Sequence, residues 1–245
     1  MNTSPHNLSG QTIRRVNRSM LADMAYRALV WVHLLLFVMW LGADVGVFTA
    51  GRHFRMRRTY TLDQRLALLK LLVALDMVPR TAFALMVPLS LSVAHMGGWW
   101  AAPVALIAAA WVFAGVWLWL VWDAHHHDQT PRAARNRRIE SWLRYAAGGG
   151  YLWLGASSVM FRWPIEPAWL AWKALLFGAI FIAAFMIDFL FKPVGPLLMA
   201  VVGQGSSDAT EVPLRAAMDR ARHWVRITYA LLLVISFLGV VKPVW

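Results

Sequence analysis

The sequence predicts an all-α protein, a polytopic bundle of about six transmembrane helices. Three observations carry that expectation. Hydrophobic residues fill 60% of the 245 positions and charged residues only 15%, well short of the quarter that soluble domains carry. The mean hydropathy is +0.53. The apolar residues also gather into runs of about 20 or more, enough helix to cross a bilayer. A lipid bilayer is therefore the first expected partner. The net charge of +12 does not point to nucleic acid, because the arginines fall in short segments between apolar runs, where membrane topology accounts for them. The chain has no cysteine, which excludes disulfides and thiolate metal sites. Histidine, carboxylate and methionine remain as ligands.

Residues 1–26 read as a polar, basic N-terminal arm ahead of a single transmembrane domain, 27–245. The arm has no short apolar core, and the first apolar run is too long for a removed signal peptide, so the first helix is expected to stay in the mature protein. The spans are expected at 27–50, 66–95, 99–122, 142–162, 166–191 and 223–243. In the first, Gly42 and Gly46 form a G-x-x-x-G pattern that lets a helix or a flat cofactor approach closely. In the second, Pro79 and Pro88 predict kinks that free backbone carbonyls. After the third, "DAHHHDQTPRAARNRRIESWLR" reads as a polar turn, then Thr130 as N-cap and Pro131 as first helical residue of a basic helix running into the fourth span. Before the last, "GQGSSDATEVPLRAAMDRAR" reads as a flexible linker and a helix of alternating charge.

Lys and Arg set the orientation. With six spans, 14 of them fall on the side of Arg57, Arg137 and Arg220 and 6 on the side of Arg27, Arg162 and Lys242. The positive-inside rule puts the richer side in the cytoplasm and both termini outside. A multi-pass protein of a bacterial inner membrane is the expected setting.

Polar residues inside the spans are the candidate sites, because lipid penalises them. Helical spacing puts His33, Phe37, Trp40, Asp44 and Phe48 on one face of the first span. Asp76 and Arg80 stand one turn apart and can neutralise each other, and Asp44 lies at a depth that could join them. Nearer the outer leaflet come His33, His95 and Lys173. Neutral imidazole suits iron or copper, and His33 and His95 from neighbouring helices could supply both axial ligands of a haem. Lys173 could pair with a propionate or extend its amine to the headgroups. Consecutive residues on a helix point about 100° apart, so His125, His126 and His127 converge on a metal only if their segment is a loop. No phosphate loop, zinc-protease motif or Ser-His-Asp arrangement is present, which sets hydrolase and kinase chemistry aside.

"HLLLFVMWLG" from His33, "LLKLLVALDMVPRTAFALMVPL" from Leu68, "WLAWKALL" from Trp169 and the terminal "LLLVISFLGVVKPVW" resemble pieces of HemJ-type protoporphyrinogen oxidases and, more loosely, of CopD-like membrane proteins. His33 precedes Trp40 as the haem-ligating histidine of that family precedes its tryptophan, and Trp169, Leu170 and Lys173 match its W-L-x-x-K pattern. The resemblance implies a helical bundle holding b-type haem at His33, with Trp40 and Trp169 beside it, His95 as sixth ligand and Lys173 as a catalytic group that meets the carboxylates of a porphyrinogen undergoing oxidation. Members of that family are shorter, and the pair of spans at 99–122 and 142–162 stands here as an insertion.

Three functional classes follow. One is a haem-b redox protein acting on a porphyrinogen or passing electrons to an acceptor, with tryptophans and the Gly148–Gly150 and Gly155 stretch approaching the macrocycle. The second is a CopD-like metal or solute transporter using Asp44, Asp76 and Arg80 as its path. The third is a non-catalytic assembly subunit. A second copy of the chain is a candidate partner in each case.

Overall fold

The computed structural model describes residues 5–244, and their regular structure is entirely helical, as the composition predicts. The helices are α1 (Pro5–Phe54), α2 (Leu62–Met96), α3 (Val104–His126), α4 (Pro131–Phe161), α5 (Ala168–Phe191), α6 (Val194–Gln204) and α7 (Asp208–Val241). Among the described residues, five helical runs are long and apolar enough to cross a membrane: Met20–Phe54, Leu62–Met96, Val104–His126, Ala168–Gln204 and Asp208–Val241. This is a multi-pass membrane protein. Trp31, Val38, Val112, Trp119 and Phe237 stand exposed on its outer surface, an arrangement that lipid favours and water penalises.

The sixth expected span, 142–162, differs. It is the C-terminal part of α4, whose apolar run is broken by Gly148–Gly150, Ser157 and Ser158 and follows an arginine-rich start. It keeps its place in the bundle by packing. Each long helix lies against the next from α1 to α5, α5 lies against α7, and a narrow contact from α7 to α1 closes the ring.

Local chemistry sets the boundaries. Thr61 caps α2 in a reciprocal box: the Gln64 amide donates to Thr61 Oγ1 at 3.4 Å and the Thr61 amide to Gln64 Oε1 at 3.0 Å. Thr130 caps α4 with Pro131 at its first position, as expected, accepting from the Ala133 amide at 3.2 Å. Around the prolines of α2, hydroxyls bond the backbone. Thr81 donates to the Met77 carbonyl at 2.8 Å, Ser92 to that of Pro88 at 2.8 Å, and Tyr151 of α4 to that of Val87 at 3.0 Å.

Two ends of the chain are more continuous than the sequence reading has them. α1 runs unbroken for 50 residues, about 75 Å at 1.5 Å per residue, so the arm from residue 5 is an extension of the first span. The first four residues of that arm lie outside the described residues. α7 joins the charged helix and the last span in a single rod, and α6 precedes the Gly205–Ser207 connection that the sequence reads as a longer linker.

The glycines are also spent differently. A Cβ on Gly46 would meet Leu75 Cδ1 at 3.5 Å, an ordinary contact, and one on Gly42 would meet nothing, so the G-x-x-x-G pattern of α1 is no tight seam. The tight seam is α4 on α5. There a Cβ on Gly178 would stand 2.8 Å from the Leu152 amide nitrogen, one on Gly148 2.7 Å from Phe181 Cβ, and one on Gly155 inside the backbone of Leu175. Gly148 and Gly155 serve helix packing, not the approach of a macrocycle.

Candidate functional site

The main core is aromatic. Trp40 of α1 (4% exposed) packs on Phe83 of α2 with ring centres 4.9 Å apart and on Phe177 of α5 at 6.5 Å, and Phe83 meets Phe181 at 4.4 Å. This layer separates two cavities. Trp40 lines both.

The first cavity, about 290 Å³, lies between α1, α2, α4, α5 and α7 at the end of the bundle where the chain has few arginines. His33, Trp40, Trp169 and Lys173 all line it, so four of the expected site residues do converge. The His33 imidazole enters from α1, and its Nδ1 is buried without a hydrogen-bond partner. Such an atom leaves a polar valence for a ligand. Lys173 reaches α7 at Gly239, where a Cβ would stand 2.5 Å from Nζ. The lone hydrogen of glycine gives the ammonium its seat.

Several residues here were not singled out in the sequence. Lys242 holds its ammonium 4.5 Å from the Trp99 ring centre and 5.6 Å from that of Trp169, and those indoles meet edge to face at 5.4 Å. A cation between two indole faces is stabilised by their quadrupoles. Two ammonium groups therefore flank the aromatic cavity, Lys173 and Lys242. The tandem Trp99–Trp100 just after α2 and the lysine closing the last apolar run were the sequence signals for this.

His95 falls elsewhere. Its Nδ1 is likewise buried and unpartnered, but His95 is not among the residues lining the cavity that His33 enters. Among the described residues no group of three or more His, Asp or Glu is arranged to hold a metal ion. The histidine triplet closes α3, with His126 Nδ1–H donating to the Trp122 carbonyl at 2.7 Å and His127 Nδ1–H to that of Asp123 at 3.0 Å. Helical geometry spreads these rings and backbone acceptors occupy two of them.

The second cavity lies on the arginine-rich side of the aromatic layer and contains the three expected network residues, Asp44, Asp76 and Arg80. Arg80 Nε donates to Asp76 Oδ2 at 2.6 Å, the expected one-turn pair. Three further charges join them. Arg144 of α4 bridges Asp188 of α5 at 2.5 Å and stands 3.5 Å from Glu140, whose carboxylate also accepts from Trp117 Nε1 at 3.4 Å. Four carboxylates thus share the chamber with two guanidiniums, and Tyr229 OH donates to the Asp44 carbonyl at 2.7 Å across from α7. Glu140 and Arg144 repeat the spacing of Asp76 and Arg80, and Asp188 is the lone charge in an otherwise apolar run. Both signals are legible once the helices are known to face each other.

No family model, curated protein or solved structure matches the chain.

Proposed function

We propose that this is a bacterial inner-membrane protein that binds b-type haem in the His33 cavity and carries out redox chemistry resembling that of HemJ-type protoporphyrinogen oxidases. The observation that supports it is the His33 imidazole, with Nδ1 buried and unpartnered, on the wall of an indole-rich cavity that also holds the amines of Lys173 and Lys242. Its volume, about 290 Å³, is at the lower end of small-molecule sites. These residues suit a flat, apolar ring carrying carboxylates. His33 would supply the iron ligand, Trp40 and Trp169 the apolar walls, and Lys173 and Lys242 the partners for propionates or for the carboxylates of a porphyrinogen. Haem would bring one-electron chemistry. The chain's own part is to bind the ring, orient it between indoles and exclude water. His95 has no part in this reading, because it does not line the cavity.

Detergent-purified protein, expressed with ample haem supply, should show a Soret band and reduced b-type α and β bands. His33→Ala should remove them with the helical content retained, and His95→Ala should leave them. Colourless wild-type protein at full yield defeats the proposal.

One observation favours a second reading, transport. The inner chamber, where Asp44, Asp76, Glu140 and Asp188 stand against Arg80 and Arg144, carries two more carboxylates than guanidiniums directly beside the aromatic layer, the arrangement expected of a cation or proton path. Proteoliposomes of colourless protein that take up protons or a metal cation, and lose this with Asp44→Asn, would establish it.

A further inference from the structure

A third cavity, about 560 Å³, opens at the arginine-rich end of the bundle where the α1–α2 turn meets α7. Six arginines line it, Arg52, Arg55, Arg57, Arg58, Arg215 and Arg222, against one lining carboxylate, Asp219. The carboxylates within reach do not balance them. Arg55 and Arg222 share Asp219, and Arg57 pairs with Asp208. Arg52, Arg58 and Arg215 are exposed and have no ion-pair partner among the described residues.

Arg222 Nε is buried with no hydrogen-bond partner, an unfilled donor. Burial, and then the nearness of Arg222 and Arg215 against the opposing pull of Asp219, leaves the Arg55 guanidinium below its ordinary pKa. Like charges held this closely are relieved by an anion. The fold holds them there rigidly, because Phe54, the last residue of α1, is buried with Leu214 and Met218 of α7.

We propose that this basin binds the phosphate group of an anionic phospholipid from the adjacent leaflet. Guanidinium forks match phosphate oxygens in geometry and charge. A basic pocket between transmembrane helices on the positive side of a bilayer is also where anionic headgroups accumulate. A free phosphate shares that chemistry, but the surroundings favour lipid. Arg55 and Arg222 also line the groove leading into the bundle, and its walls include Val47, Phe48, Leu72 and Val225. An acyl chain has an apolar surface beside the phosphate.

The full chain, purified in detergent and delipidated, is titrated with fluorescent phosphatidylglycerol and with the same probe on phosphatidylcholine. Phosphatidylglycerol should bind at least about fivefold more tightly, and the combined R52Q/R58Q/R215Q variant should bind both lipids alike. R135Q/R138Q/R220Q removes the same charge from other exposed arginines, ones with no ion-pair partner among the described residues, and should keep the preference. Circular dichroism checks that both variants fold. Equal binding of the two lipids by wild-type protein, with no competition from phosphate, overturns the proposal, as does an equal loss in the control variant. If inorganic phosphate competes with both lipids where chloride at the same ionic strength does not, and phosphatidylglycerol binds no more tightly than phosphatidylcholine, the occupant is free phosphate and the lipid assignment is wrong. No haem signal enters the readout, so the result is independent of the redox reading.

Discussion

The Lys173 ammonium rests against the backbone of Gly239, sixty-six residues further along the chain, with no room for a methyl group between them: a Cβ there would lie 2.5 Å from Nζ. A longer side chain on α7 would evict the amine without disturbing the helices, because the clash falls on the flexible end of a lysine. Gly239→Ala should therefore raise stability by up to ~1 kcal/mol through helix propensity while weakening haem or porphyrin retention several-fold. Thermal denaturation and cofactor titration on the same preparation check both. Loss of stability together with binding would mean that Gly239 is a packing residue only.

Asp76 and Arg80 face each other at 2.6 Å one turn apart, at a depth where an unpaired charge is expensive. Removing either partner alone should lower the yield of folded protein more than removing both. In a double-mutant cycle of Asp76→Ala and Arg80→Ala, the coupling should reach ~1 kcal/mol or more. Simple additivity would show that each charge is held by other members of the chamber, Arg80 by Asp188 or Glu140 and Asp76 by Arg144.

Arg65 and Glu211 form the most enclosed ion pair among the described residues, with side chains 2% and 3% exposed and both terminal guanidinium nitrogens, Nη1 and Nη2, donating to the carboxylate at 2.5 and 3.0 Å. Arg65 Nε also donates to the Phe54 carbonyl at 2.6 Å, and Ser206 to Glu211 at 2.6 Å. This network ties the end of α1 and the start of α2 to the start of α7. Glu211→Ala leaves a buried guanidinium unpaired and should cost ~3–5 kcal/mol, visible as a lower denaturation temperature. Arg65→Met with Glu211→Leu should recover most of it.

Gly155 and Gly149 sit on one helix and separate packing from propensity. Gly155→Ala would drive a methyl into the Leu175 backbone and should destabilise by ~1–3 kcal/mol, whereas Gly149, with nothing within 4 Å of its would-be Cβ, should accept alanine with no loss. Equal effects at both positions would contradict the α4–α5 seam.

Composition and periodicity by themselves determined that this chain is an all-α membrane bundle, because burying a helix in lipid needs only a long apolar run and its internal hydrogen bonds. They also located the Thr130 cap, the Asp76–Arg80 pair and a common depth expected for His33, His95 and Lys173, each of which depends on spacing within a helix or on depth across the bilayer, whereas Trp40 and Trp169 entered the site through the family resemblance. Which polar groups meet across helices was decided only by how the helices pack: α4 on α5 joins Arg144 to Asp188, and the ring is closed by α7 lying against α5 and α1. That contact brings Lys242 between two indoles, gives Lys173 its seat at Gly239 and carries Tyr229 to Asp44. His95, for which the sequence predicts a similar depth, does not line the cavity: depth fixes one coordinate of a side chain and helix rotation another. The same holds for the glycines, which read alike in the sequence until the partner helix is in place: close approach is a property of two surfaces, and a single chain segment carries only one of them.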